Sequence, residues 1–157
     1  MAKPSPISLV RIHDLSSSRL KPLMEESIAE GFHFLARLER DWHSDKNRFD
    51  TLGEVLLLAG IDCIHVGVCG LNIDPYGSVP TVGRLRYLYV AVVHRRAGVG
   101  RMLVEALVAE AAKAFRKLTL RTDTDVADSF YRALGFIRLV NDRVATHELD
   151  LSQKFMC

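Results

Sequence analysis

Six consecutive residues, Arg95-Arg96-Ala97-Gly98-Val99-Gly100, hold the clearest chemical signal in the chain. They lie where a strand-like segment gives way to a helix-like one, so backbone N–H groups and a helix N-terminus can converge there on an anion. Gly98 and Gly100 have no side chain to block a close approach. Arg84, Arg86, His94 and Arg101 concentrate further positive charge in the same stretch, which points to a compact phosphate-bearing ligand. Alternatively, the two glycines make only a tight strand-to-helix turn. A Rossmann fingerprint would need a third glycine where Leu103 stands, and a Walker loop would need Gly-Lys-Ser or Gly-Lys-Thr, which is absent. Cys63, His65 and Cys69 alternate along a strand-like run and read as core or surface residues, so no metal is expected. Neither a GxSxG elbow nor a papain-like cysteine motif occurs.

The elements that must position these residues are legible from period and punctuation. Ile7 to Ile12 reads as a first strand; Ser16 to Ser18 offer caps for a helix through Leu20, Leu23, Met24 and Ile28, which Gly31 breaks. A second helical stretch runs from Phe32 to about Trp42. Glu54 to Ala59 and Ile64 to Leu71, separated by Gly60-Ile61-Asp62, form an antiparallel hairpin. Asp74 to Gly83, with Pro75, Gly77 and Pro80, is a loop. Arg84 to Val92 alternates Leu85, Tyr87, Tyr89 and Ala91 on one face with Arg84, Arg86, Leu88, Val90 and Val92 on the other, as a central strand would. From Gly98 to Phe115 the period becomes helical, with Leu103, Leu107, Ala111 and Phe115 four apart. Leu118 to Thr122 is a short strand, Asp125 to Leu134 a helix ended by Gly135, and Phe136 to Val140 with Ala145 to Leu151 a last hairpin.

Leu88-Tyr89-Val90, then Arg95 to Gly100, then Phe130-Tyr131-Arg132-Ala133-Leu134-Gly135-Phe136 resemble, in order and spacing, the signatures of the GNAT N-acetyltransferases. The resemblance covers about Arg84 to Leu139. It implies an α/β (α+β) fold, a mixed and strongly twisted sheet of about six to seven strands flanked by helices, with acetyl-coenzyme A as co-substrate. The cofactor would enter a splay between the Arg84 to Val92 and Leu118 to Thr122 strands. Its pantetheine arm would take backbone hydrogen bonds from Val90 and Val92, like an added strand. Its pyrophosphate would take the amides of Arg95, Arg96, Ala97, Gly98, Val99 and Gly100, with charge from both arginines. The family often has Asn where Thr124 stands here, and a threonine offers one hydroxyl in place of the amide's donor and acceptor. Tyr131 would protonate the departing sulfur, while an N–H near Val90 polarises the carbonyl. Some members place a glutamate base on the central strand, which here has Arg84 and Arg86 and no carboxylate. Glu54, beginning a strand that should face the acceptor cleft, is the first candidate for that base, ahead of Asp41, His94 and a water chain.

A chain of 157 residues with 48% hydrophobic and 25% charged residues fits one globular domain spanning residues 1–157. No apolar run approaches the roughly 18 residues that cross a bilayer, and the N-terminus has no export signal, so a soluble cytoplasmic protein is expected, with no membrane partner. Three cysteines without a CxxC argue for reduced thiols. A net charge of +2 is too small to imply a nucleic-acid partner. The acceptor would be a small-molecule or peptide amine, recognised around Phe32 to Trp42 and Asp74-Pro75-Tyr76. Family analogy admits a homodimer. A different class of function, a non-catalytic acyl-coenzyme A sensor or partner-binding module, would keep the cofactor grip without the chemistry.

Overall fold

The computed structural model describes residues 5–15 and 17–152. Strand β1 (Ser8–Arg11) is followed by helices α1 (Ser17–Ala29) and α2 (Phe34–His43), then by strands β2 (Val55–Ile61), β3 (Ile64–Ile73) and β4 (Val82–Val90). Helix α3 (Val99–Ala114), strand β5 (Lys117–Leu120), helix α4 (Asp125–Ala133) and strands β6 (Ile137–Arg138) and β7 (His147–Asp150) complete the order. The strands form a seven-stranded sheet in the order β1-β2-β3-β4-β5-β7-β6. Pairing is antiparallel except between β4 and β5, whose crossover through α3 makes them parallel. This is the mixed α/β sheet, seven strands wide, that the resemblance implies.

Two apolar cores lie on the two faces. On one, α3 presents Val99, Leu103, Val104, Leu107, Val108 and Ala111, a stripe at helical spacing, to Leu57, Val66, Leu71, Leu85 and Leu118 of the sheet. Each fully buried leucine of that stripe contributes about 1.5–3 kcal/mol. On the other face, Leu20 and Leu23 of α1 and Leu35, Leu38 and Trp42 of α2 cover Leu56, Leu58, Val68, Tyr87 and Tyr89. Gly67 lets α3 approach closely: a Cβ there would lie 2.9 Å from Val99 Cγ1.

The central strand departs from strict alternation. Val68 faces Tyr89 and Gly70 faces Arg86, so β4 has one more residue than β3 between these pairs. Tyr87 takes up that extra residue at φ 65°. As a result Leu85 belongs to the α3 core, while Tyr87, Tyr89 and Ala91 belong to the α1–α2 core, correcting the single face expected for all four. The strand also ends at Val90, and Val92–His94 form a 3-10 turn where the sequence suggested continued strand. Gly31 and Gly135 follow α1 and α4 at positive φ, as expected of helix-ending glycines. The side chains of Ser16 to Ser18, and Cys157, lie outside the described residues. Cys69 is buried and Cys63 exposed.

Candidate active site

Strands β4 and β5 pair over only three positions, Val82 with Lys117 to Arg84 with Thr119. Beyond these they separate. The Ala91 N–H donates to the Val66 carbonyl at 2.8 Å, which fixes the alternation of β4 against β3. Val90, the neighbouring residue, therefore turns its N–H and C=O away from β3 and toward the gap. The opposite wall is held from its far side: Thr146 N–H donates to the Leu120 carbonyl at 2.9 Å, and Thr122 N–H to Thr146 Oγ1 at 2.9 Å.

The turn between β4 and α3 closes one end of this gap. Arg96 (φ 63°) and Gly98 (φ 88°) are left-handed, and no side chain caps α3. Its first helical bond runs from Met102 N–H to the Gly98 carbonyl at 3.0 Å, so the Val99, Gly100 and Arg101 N–H groups lack an intrahelical acceptor. A Cβ on Gly98 would meet nothing within 4 Å. Arg96 and Ala97 are exposed, and Arg96 makes no ion pair among the described residues.

Arg95 is engaged elsewhere. Its Nε donates to the Val90 carbonyl at 2.9 Å, and its Nη1 and Nη2 donate to Glu30 Oε2 and Oε1 at 3.1 and 2.6 Å. It also lies over the Tyr89 ring, 5.3 Å from the centroid. The Arg95 guanidinium holds the Glu30 carboxyl below the usual carboxylate range, aided by Tyr89. Burial, with Glu30 and Glu26 beside it, keeps the Tyr89 hydroxyl protonated, and its oxygen lies 2.9 Å from Glu26 Oε1 and 2.5 Å from Glu30 Oε1. Val92 N–H, expected to face the pantetheine, donates instead to Glu26 Oε1 at 2.8 Å. The α1 carboxylates thus anchor the turn. Sequence reading missed Glu26 and Glu30 because some 60 residues separate them from the groups they hold.

Tyr131, on the inward face of α4, packs among Phe130, Phe136 and His147 with centroid separations of 5.0, 5.5 and 6.1 Å. It is 7% exposed and its hydroxyl makes no hydrogen bond among the described residues. Burial, with Cys69 close by, raises its pKa, so the hydroxyl is protonated at neutral pH. The Cys69 thiol, pushed up to about 12 by burial, points to the Arg86 carbonyl at 3.7 Å, within the β4 bulge. Tyr131 and the bulge thus share one neighbourhood. Behind the ring, His147 is buried with Nε2 2.7 Å from Asp128 Oδ1 and Nδ1 2.8 Å from Thr146 Oγ1.

Two expected site residues have structural bonds. Thr124 is the N-cap of α4, its hydroxyl accepting from Ala127 N–H at 3.1 Å. Glu54 Oε2 accepts from Asn72 Nδ2 at 2.8 Å and from Ile73 N–H at 3.0 Å, while Oε1 accepts from Thr51 N–H at 3.3 Å. It meets the site only through Asn72, whose Oδ1 lies 3.4 Å from Arg86 Nη1.

A sequence profile of the acetyltransferase (GNAT) domain matches residues 53–138, more than half of the chain. The chain belongs to the GNAT acetyltransferase family. A provisionally assigned acetyltransferase from Exiguobacterium sp. 255-15 superposes with a TM-score of 0.82 at 29% identity, over 92% of this chain and 93% of that one. A provisionally assigned acetyltransferase from Salmonella typhimurium, solved with its cofactor acetyl-CoA, shares the fold at TM-score 0.68 and 14% identity, over 92% and 94% of the two chains. A GCN5-related N-acetyltransferase from Kribbella flavida does so at TM-score 0.69 and 17% identity, over 90% and 95%. No curated protein sequence matches significantly. No described helix is long and apolar enough to cross a membrane.

Proposed function

We propose that this chain is one catalytic domain that moves an acetyl group from acetyl-coenzyme A to the nitrogen of a small-molecule or peptide amine, in the cytoplasm. The observation that carries the proposal is the gap between β4 and β5, with a Val90 N–H that has no partner among the described residues on one side and the uncapped N-terminus of α3 at its end. Val90 would bond the pantetheine arm as an added strand does, and the N–H groups of Val99 and Gly100 would bind the pyrophosphate, with Arg96 free to add charge. Arg95 would act by holding the turn and the Val90 carbonyl rather than by reaching the phosphates. Val92, its N–H taken by Glu26, and Thr124, its hydroxyl taken by the α4 cap, would contribute little beyond shape.

The reaction would be a direct transfer in a ternary complex. The amine lone pair forms the C–N bond at the thioester carbonyl carbon, and the C–S bond breaks. Tyr131 gives its proton to the departing sulfur and regains one from solvent. The proton from nitrogen leaves through water toward Glu54, one side chain beyond Arg86, replacing the direct abstraction expected of it. No metal enters the scheme, and a homodimer is compatible with it.

The absence of a carboxylate on β4 favours a second reading, an acyl-coenzyme A sensor. A thiol-release assay with acetyl-coenzyme A across an amine and peptide panel separates the two. Acceptor-dependent release is expected; tight coenzyme A binding with no release for any acceptor would establish the sensor instead.

A further inference from the structure

Arg84 and Arg86 project from β4 to the face opposite α3, since Leu85 between them lies in the α3 core. On this face α1 and α2 cover Tyr87 and Tyr89, while Arg86 beside them stays partly exposed, so an acceptor would approach the bulge along Arg86. Arg86 stacks on the Tyr87 ring, 4.7 Å from its centroid, and its one side-chain bond is the 3.4 Å contact to Asn72; no carboxylate pairs with it among the described residues. Arg84 is 6% exposed, and its Nη2 donates to the Val144 carbonyl at 2.6 Å. Its Nη1 is buried without a hydrogen-bond partner, 3.9 Å from Asp74 Oδ1, and the exposed ring of Tyr76 covers the guanidinium at 4.8 Å. Asp74 is itself occupied, by the Thr119 hydroxyl at 3.1 Å and the Tyr76 N–H at 3.0 Å. Asp142, the other acid near Arg84, accepts from the Val144 and Ala145 N–H groups. Arg121 is close enough to Arg84 to oppose its charge, and is itself 3.6 Å from Asp123.

The buried unused N–H of Arg84 is costly for the empty protein, and Arg86 beside it, partly exposed and with no carboxylate partner among the described residues, suits a planar anion. With Asp74 against Arg84 and Glu54 held by Asn72, the unused donor capacity on this face belongs to Arg86 and to Arg84 Nη1. We infer that the acceptor is a small amine that also bears a carboxylate, as an amino acid does, and that Arg86, with Arg84 beneath Tyr76, binds that carboxylate. The inference rests on the transfer reaction proposed above. The Arg86 carbonyl lies at the bulge against Cys69, which shares a core with Tyr131, so a carboxylate on the Arg86 side chain would leave an amine of the same small molecule within reach of the thioester. A displaced Tyr76 would admit the anion to Arg84.

The test compares kcat/KM for L-amino acids with that for their carboxamides, each corrected to the neutral-amine fraction at the assay pH. The acids should be preferred about ten- to a hundred-fold, the range of a charged hydrogen bond. Arg86→Gln should collapse that preference and Arg86→Lys should restore part of it; Arg86, being partly exposed, is a safer site for this than buried Arg84. Equal use of acids and amides, or a preference unchanged in Arg86→Gln, would overturn the inference. Should no acceptor turn over, the transfer reaction fails, and calorimetry of N-acetyl amino acids with the coenzyme A-saturated protein decides the binding question. Binding that is lost in Arg86→Gln would uphold the carboxylate site; affinity equal to that of the N-acetyl carboxamides, or none for either, would refute it.

Discussion

Tyr131→Phe removes one oxygen from a ring whose packing against Phe130, Phe136 and His147 does not depend on it. Because that hydroxyl has no protein partner among the described residues, its loss strands no donor or acceptor, and stability should change by less than about 1 kcal/mol. For a chain of this length that is a Tm shift of no more than about 4 °C. The chemical consequence is much larger if the hydroxyl protonates the leaving sulfur: general acids contribute about 100- to 10,000-fold, which is roughly 2.7 to 5.5 kcal/mol of barrier. Since burial raises the Tyr131 pKa above its ordinary value of about 10, the acid form persists throughout the neutral and mildly alkaline range. Wild-type transfer should therefore rise with pH as the acceptor amine loses its proton, with no decline from Tyr131 below about pH 10. Single-turnover rates from pH 7 to 9.5, with a coenzyme A binding constant and a melting curve for both proteins, make the measurement. A variant that binds, melts and reacts like wild type would remove Tyr131 from the mechanism, and a wild-type rate that falls between pH 8 and 9.5 would contradict its assignment as a protonated acid.

Three further outcomes are expected. Gly98→Val should leave a folded protein destabilised by about 1–2 kcal/mol, because the position has φ 88° in open space, while coenzyme A affinity falls at least tenfold; unchanged affinity by calorimetry would exclude the turn from the phosphate site. Glu30→Gln should weaken coenzyme A binding about fivefold, the equivalent of about 1 kcal/mol for a half-exposed ion pair, by loosening Arg95 from the turn; an equal or tighter affinity would show that Arg95 is not needed where Glu30 holds it. Asp128→Asn should lower Tm at neutral pH. His147, followed by Arg132 and Arg138, depresses the Asp128 pKa, so its contribution is present above about pH 4 and is lost as the pH falls through the lower folded value; a Tm difference that persists at pH 2 would contradict this origin.

The segments with regular period were legible in the sequence. The α3 stripe, the β2–β3 hairpin and the glycine-terminated α4 each announce themselves within a dozen residues, and the two motifs at Arg95 to Gly100 and Phe130 to Phe136 fix how they meet. The bulge was not legible, because an extra residue in β4 leaves the written alternation of Leu85, Tyr87 and Tyr89 intact while turning Leu85 to the other face. The roles of Arg95 and Arg86 were hidden for a related reason. Both are arginines beside a predicted anion site, and only the distant partners distinguish them: Glu30 occupies Arg95, whereas no carboxylate among the described residues occupies Arg86. Likewise Glu54 looked free at the start of a strand until folding brought Asn72 and the Ile73 N–H to its carboxylate.

The gap between β4 and β5 poses a physical question, since two parallel strands that begin to pair would ordinarily continue. Each wall is committed elsewhere. On the β4 side, Ala91 is bonded to Val66, and the residues that follow are drawn toward α1 by Glu26 on the Val92 N–H and by Glu30 on Arg95. On the β5 side, the Leu120 carbonyl and the Thr122 N–H both go to Thr146, beside the His147–Asp128 pair that joins β7 to α4. Alternate residues of a strand bond to opposite neighbours, so these contacts fix how each wall is turned without using the groups that face the gap. The Val90 N–H, without a partner among the described residues, then faces inward, and the same α4 that secures the far wall carries Tyr131. On the proposed reading, cofactor binding and acid catalysis would both draw on these polar contacts behind the two walls, which is why substitutions at Glu30 and Asp128 should register in the measurements above.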